Sequence, residues 1–234
     1  MDIFSIGILV LLGYCLGSLC SAVIVSKIFA LPDPRTTGSN NPGATNVLRL
    51  AGKKYAAIVL LSDILKGFIP VFLTKLCGFN IAIITLVGFA AVLGHMYPIF
   101  FRFKGGKGVA TAIGVFFGIN FILGIVVIAT WLLVAKFSKY SSLASLISMS
   151  FAPFYAVFVT GHLSSPLFFI LLFILFKHKE NIIRLIDGTE SKINLKKGDL
   201  GEEMVAAEFA EDEDKPPVVV AETPNEDSKD QNKP

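Results

Sequence analysis

Long apolar runs alternate with short polar loops along most of this chain, and the runs predict membrane-spanning helices. The first run is free of charge from Ile3 to Ser26, long enough to cross a ~30 Å hydrocarbon core as a helix. No basic stretch precedes it, and it is too long for the apolar part of a signal peptide, so a retained first span is expected. Gly13 and Gly17 lie one turn apart on one of its faces, which suits close packing against another helix. Lys27–Lys54 reads as a polar loop. Ala56–Leu76 is apolar again but carries Asp63, Lys66 and Pro70, and Cys77–Phe101 lacks any Asp, Glu, Lys or Arg.

Two further runs exceed one span. Gly108–Ala135 and Tyr140–Phe176 hold no formal charge. At ~1.5 Å per residue the second would reach nearly twice the core thickness as one helix, so it must turn. Gly161-His162-Leu163-Ser164-Ser165-Pro166 is the place for that turn. Charge settles the other run. With the basic loops Lys27–Lys54 and Arg102–Lys107 facing the cytoplasm, two spans join them through a turn near Cys77–Asn80. A single span over Gly108–Ala135 would then carry Lys136, Lys139 and the basic segment Lys177–Lys197 to the opposite side. Splitting it near Gly118-Ile119-Asn120 returns every basic cluster to one face. The expected fold is all-α: a polytopic bundle of about seven transmembrane helices with short fourth and seventh spans, N-terminus extracytoplasmic and C-terminus cytoplasmic. Residues 1–199 form this membrane domain. Residues 200–234 are acidic, Pro-containing and poor in aromatics, and read as a disordered cytoplasmic tail.

Composition agrees, with 53% hydrophobic and 17% charged residues and a mean hydropathy of +0.68. The net charge of +3 hides an asymmetry, since basic residues sit in loops between spans and many acidic ones lie beyond residue 200. Positive charge so scattered excludes a nucleic-acid partner. Cys15, Cys20 and Cys77 lie in or beside apolar runs without a CxxC, as small packing residues do. No His, Cys or carboxylate cluster has metal-ligand spacing, and no metal or cofactor is expected.

Chemistry concentrates in the loops. Gly94–Thr111 reads GHMYPIFFRFKGGKGVAT, with three glycines and two lysines packed into Lys104–Gly108. Glycines let backbone N–H groups converge on one point, and Lys104 and Lys107 add cationic donors around it, as an anion grip requires. This is no Walker A loop, because Gly108 rather than Ser or Thr follows Lys107. The loop Pro32–Asn46, with Arg49 beyond it, is crowded with hydroxyls, amides and glycines suited to phosphate and polyol oxygens, though such residues are also ordinary turn formers. Asp63 and Lys66 share one helix face in an apolar span, where an unpaired charge costs several kcal/mol; a structural ion pair explains them as well as substrate contact does. Ser141, Ser142 and Ser145 open a span, as caps or as anion ligands. His178, Asn181 and Arg184 share a face near Asp187-Gly188 and Glu190. All these groups fall on the side assigned to the cytoplasm.

These stretches resemble the bacterial integral-membrane acyl-phosphate:glycerol-3-phosphate acyltransferases, the PlsY family. The resemblance rests on GSNNPGATN at Gly38–Asn46, LSDILKGF at Leu61–Phe68, the glycine–lysine stretch, SLAS at Ser142–Ser145 and HKENIIRLIDGTE at His178–Glu190. Asn40 stands where the family usually has glycine, and the acidic tail has no counterpart. The resemblance implies a plasma- or inner-membrane enzyme of phospholipid biosynthesis. It would transfer a fatty acyl group from acyl phosphate to the 1-position of glycerol 3-phosphate, giving lysophosphatidic acid and phosphate. Membrane lipid surrounds such an enzyme, and a soluble enzyme on the cytoplasmic side would make the acyl phosphate.

The residues fit. Two phosphates side by side need many cationic and N–H donors. An activated donor needs no nucleophile, and there is no GxSxG elbow. No histidine begins the HxxxxD pattern of the CoA-dependent acyltransferases. The catalytic candidates are His178, Lys104, Lys107 and Ser39, with the base either His178 or a substrate phosphate. Lys104, Lys107 and the intervening glycine N–H groups are expected to hold the acyl phosphate. Ser39, Thr45, Arg49, Ser142, His178 and Asn181 are expected to bind glycerol 3-phosphate. The wider substrate-binding set adds Arg35, Gly38, Asn41, Asn46, Asp63, Lys66, His95, Gly105, Gly106 and Gly108. A phosphate or glycerol-phosphate transporter is the alternative, weakened by the absence of inverted repeats.

Overall fold

The computed structural model describes residues 3–193. The tail expected from residue 200 onward lies outside the described residues. Those described are all-helical: α1 (Ile3–Gly17), α2 (Ser21–Ile28), α3 (Ala44–Leu76), α4 (Ile81–Met96), α5 (Val109–Ile119), α6 (Phe121–Ser138), α7 (Ser141–Thr160), α8 (Ser165–Lys177) and α9 (Lys179–Ile186). A single 3-10 turn, Ile99–Phe101, leads out of α4.

Four stretches are long and apolar enough to cross a membrane: α3, Ile81–Phe101, α6 and α7. α1 and α2 together make a fifth, bent by 42°. α5 and α8 are apolar but only 11 and 13 residues long, so each spans roughly 16–20 Å. Large apolar side chains such as Phe4, Leu11, Phe121, Phe137, Phe154 and Phe158 face outward, as a lipid-facing surface requires.

Turn chemistry explains the breaks. Asn80 and Asn120 precede α4 and α6; Asn80 Oδ1 accepts the Ile83 N–H, and Asn120 Oδ1 those of Ile122 and Leu123, the usual N-cap role. Gly161 ends α7 in the left-handed conformation at φ 72°, which glycine adopts without a Cβ penalty.

Two expectations need correction. The run Ile3–Ser26 is not one continuous helix, because it breaks between α1 and α2. The break is held open from outside: Lys66 Nζ takes the Leu19 carbonyl at 2.6 Å, and Ser21 Oγ donates to Asp63 at 2.8 Å. Nor is Lys27–Lys54 loop throughout. The chain is helical from Ala44, where Val47 packs beside Ala22 and Val25, and Gly52 at φ 80° and ψ −176° separates this opening stretch of about two turns from the long span. Only glycine takes that conformation cheaply.

α1 lies against α4 through Gly13 and Gly17, as the small-residue face suggests. A Cβ on Gly17 would strike the Ala91 carbonyl, and one on Gly13 would sit 2.9 Å from that of Val87. α3 packs on α5, α6 on α7, and α8 on α4. The main core joins Val71, Val92, Met96, Phe116, Leu123, Met149 and Ile170 across these helices. Loops from α2–α3, α4–α5, α6–α7 and the segment after α8 converge at one end of the bundle.

Candidate active site

Two connected chambers open where those loops meet. The first, about 420 Å³, is walled by Leu60, Ile64, Ile113, Ile128, Trp131 and Leu132 from α3, α5 and α6. The second, about 490 Å³, is lined by Gly38, Asn40, Gly105, Gly106, Lys177 and Glu180. The first chamber is mainly apolar and the second mainly polar. Ser39, Asn41, Lys107, Arg184 and Ser191 line both and form the seam between them.

Most of the expected site residues come together here. Thr45, Asn46, Arg49, Asp63, His95, Gly108, Ser142, His178 and Asn181 line the apolar chamber, and Gly38, Gly105 and Gly106 line the polar one. Three do not join them. Lys104 is exposed and lines neither chamber, because its backbone leaves the left-handed pair Arg102 and Phe103, at φ 55° and 58°, on the outer side of the loop. Arg35 is taken by Asp33 in a two-pronged pair, its closest contact 2.6 Å. Lys66 is buried on Asp63 at 2.8 Å. Asn46 lines the chamber but spends its amide on the loop: its oxygen accepts Ser39 N–H at 2.9 Å, and its nitrogen donates to the Pro34 and Thr37 carbonyls. It shapes the Gly38–Asn41 turn that presents Ser39.

Lys107 faces the seam and donates to Asn181 Oδ1. Burial pushes its ammonium down to about 8, with the like charge of Arg184 adding to the effect. Asn181 in turn donates to Glu190 at 2.7 Å, and Ser142 Oγ reaches the same oxygen at 2.7 Å. Arg184 pairs with the other oxygen at 2.7 Å. Burial pushes the Glu190 carboxyl up, but these hydrogen bonds outweigh it and hold it below the usual range. Glu190 therefore ties α7 to α9, and it is a hub that motif reading left out of the site. Its signal was available: Asp187-Gly188 is a turn that folds the next residues back, and Gly188 sits at φ 70°. Ser141 bridges elements as well: its hydroxyl meets Thr45 Oγ1 at 3.2 Å and joins α7 to the start of α3.

His178 caps α9 with its ring inside the apolar chamber's mouth. Nδ1 lies 2.8 Å from the Ile174 carbonyl. A carbonyl only accepts, so Nδ1 carries the proton and Nε2 keeps its lone pair. Burial pushes the pKa of this ring down to about 4, against the opposing pull of that carbonyl. The imidazole is thus neutral at physiological pH and able to accept a proton.

Comparison with known proteins then decides the family. A family model described as "Glycerol-3-phosphate acyltransferase" matches residues 7–188. The chain belongs to the glycerol-3-phosphate acyltransferase family. A glycerol-3-phosphate acyltransferase of Legionella pneumophila (strain Corby) is 53% identical over 201 residues, covering 85% of this chain and 73% of that one. One of Colwellia psychrerythraea is 50% identical over 188 residues, covering 80% and 96%. The crystal structure of PlsY (YgiH), an integral membrane glycerol 3-phosphate acyltransferase, in its glycerol 3-phosphate form superposes with a TM-score of 0.76. It is 40% identical and covers 81% of this chain and 96% of that one. Its lysophosphatidic acid form gives 0.74 at 39% identity, covering 83% and 98%. This glycerol-3-phosphate acyltransferase is accordingly an integral membrane enzyme of phospholipid synthesis rather than a transporter.

Proposed function

We propose that the acyl donor is acyl phosphate and that the acceptor is the 1-hydroxyl of glycerol 3-phosphate, the products being lysophosphatidic acid and phosphate. The observation that carries this reading is the seam: Ser39, Asn41, Lys107 and Arg184 border an apolar chamber on one side and a polar chamber on the other. An amphiphilic donor suits the first, its chain among Leu60, Ile64, Ile113 and Leu132 and its phosphate near Arg49, Ser142 and Asn181. A wholly polar acceptor suits the second, against the glycine loop. This apportioning reverses the one expected from the motifs, because an acyl chain has no apolar walls to lie on beside Gly105 and Gly106.

In the reaction, the acceptor hydroxyl oxygen attacks the acyl carbonyl carbon. The bond from that carbon to the phosphate oxygen breaks, and phosphate leaves with the electron pair. Lys107, Arg49 and the glycine N–H groups stabilise the charge on both phosphates. His178 Nε2 takes the hydroxyl proton. With His178→Ala, turnover at saturating glycerol 3-phosphate falls by about 10²-fold or more; near-normal turnover would assign the proton to a substrate phosphate. Purified protein given labelled glycerol 3-phosphate with either acyl phosphate or acyl-CoA forms labelled lysophosphatidic acid with the phosphate donor only. Product from acyl-CoA alone would overturn the donor.

The topology that fits this reading has seven crossings, α1 with α2 and then each of α3 to α8. It keeps the basic loops inside, the N-terminus outside and the site on the cytoplasmic face of a bacterial plasma membrane. A soluble enzyme that makes acyl phosphate is the partner such a donor requires.

A further inference from the structure

Below the glycine loop lies a buried charge cluster, whose Asp63 and His95 reach the wall of the apolar chamber and have no part in the chemical step proposed above. Asp63 of α3 is 1% exposed, and one of its oxygens, Oδ1, gathers three elements. Ser21 Oγ of α2 donates at 2.8 Å, Lys66 Nζ pairs at 2.8 Å, and His95 Nδ1 of α4 faces it at 3.6 Å. Lys66 also holds the Leu19 carbonyl in the break before α2. Two charges in spanning helices are costly, and a simple packing role would be met by apolar side chains. The far side of His95 shows what the cluster supports. Its carbonyl accepts Gly106 N–H at 3.2 Å, and a Cβ on Gly106 would strike its Nε2. The imidazole is therefore wedged between the Asp63 carboxylate and the backbone of the loop that carries Lys107.

We infer that Asp63 and His95 are positioning residues: the carboxylate sets the imidazole, and the imidazole sets the height and tilt of Gly105–Lys107 at the seam. The inference rests on the reading in which that loop faces glycerol 3-phosphate. It predicts a kinetic defect that falls mainly on glycerol 3-phosphate, because the displaced Gly105 and Gly106 line the polar chamber, whereas the apolar walls Ile128, Trp131 and Leu132 stand on α6.

The test uses Asp63→Asn, His95→Asn and the double variant in the full chain, with Gly106→Ala as the marker for the loop and Lys75→Met as a stability control. Lys75 is exposed at the other end of α3, its ammonium bonded to the Ile119 carbonyl. Asp63→Asn and His95→Asn are each expected to raise KM for glycerol 3-phosphate roughly tenfold. KM for acyl phosphate stays within about twofold, and the double variant is no worse than the more affected single, as residues acting in series require. His95→Asn leaves the Asp63–Lys66 pair whole, so it serves if Asp63→Asn does not fold. Lys75→Met lowers the thermal midpoint without moving either KM. Positioning is overturned if Gly106→Ala raises KM for glycerol 3-phosphate while His95→Asn changes neither KM, or if Asp63→Asn and His95→Asn only lower the thermal midpoint, as Lys75→Met does. If Gly106→Ala and His95→Asn both raise KM for acyl phosphate instead, positioning stands and the chamber assignment falls.

Discussion

Lys107 and His178 have opposite tasks in the proposed mechanism, and burial moves both below their ordinary titration ranges. Lys107 must be charged to hold phosphate, and burial has brought it down to about 8, so the cation is lost as pH rises through that value. The proposed proton acceptor His178 must be neutral, and burial has brought it to about 4, so the ring stays neutral in acid far below the usual imidazole range, at the expense of basicity. The pH profile of kcat/KM, corrected for the substrate phosphate's own titration near about 6, should fall on the alkaline side near 8 and show no acid limb near 6.5. An acid limb near 6.5 would contradict the buried ring. Glu190→Gln should lower kcat/KM roughly tenfold or more, since Ser142, Asn181 and Arg184 lose their shared anion; unchanged kinetics would reduce Glu190 to a surface contact. At this scale residue types were legible and partnerships were not. Nothing in KGGKG distinguishes its two lysines. The left-handed Arg102 and Phe103 turn Lys104 outward, and such a backbone choice is made by packing against Pro98 and His95, not by the five residues themselves.

Helices carry the same lesson at larger spacing. The breaks at Asn80, Asn120 and Gly161 follow from local chemistry, amide caps and a left-handed glycine, and all were visible in the sequence. The break at Ser18–Cys20 was not, because the chain there is as apolar as its neighbours and the cause is Lys66, far along the chain. Helix contact through glycine is testable here. Gly17→Leu should separate α1 from α4, break the Tyr14 hydroxyl's bond to the Tyr97 carbonyl and lower the thermal midpoint in detergent. Gly7→Leu should leave it unchanged, because Gly7 has open space around its Cβ position.

For the molecule as a whole, orientation is the property on which the proposed cytoplasmic placement of the site depends. Cys77 is exposed in the turn between α3 and α4, whereas Cys20 is buried. In the proposed topology that turn lies outside the cell, so a membrane-impermeant maleimide should label Cys77 in intact cells and Cys77→Ala should abolish the signal. Labelling only after permeabilisation would invert the bundle.

The sequence by itself determined the apolar runs that become the long helices, the breaks at Asn80, Asn120 and Gly161, and the chemical types at the site, but not the break before α2 or the helical start of α3. Lipid leaves backbone groups no partner but their own helix, and charge in an apolar run is too costly to be accidental. Only the tertiary structure decided which lysine enters, that Glu190 joins α7 to α9, and that one chamber is apolar and the other polar. Each of these is a relation between side chains distant along the chain. Contacts of that kind depend on how helices cross, and the local pattern carries no record of it.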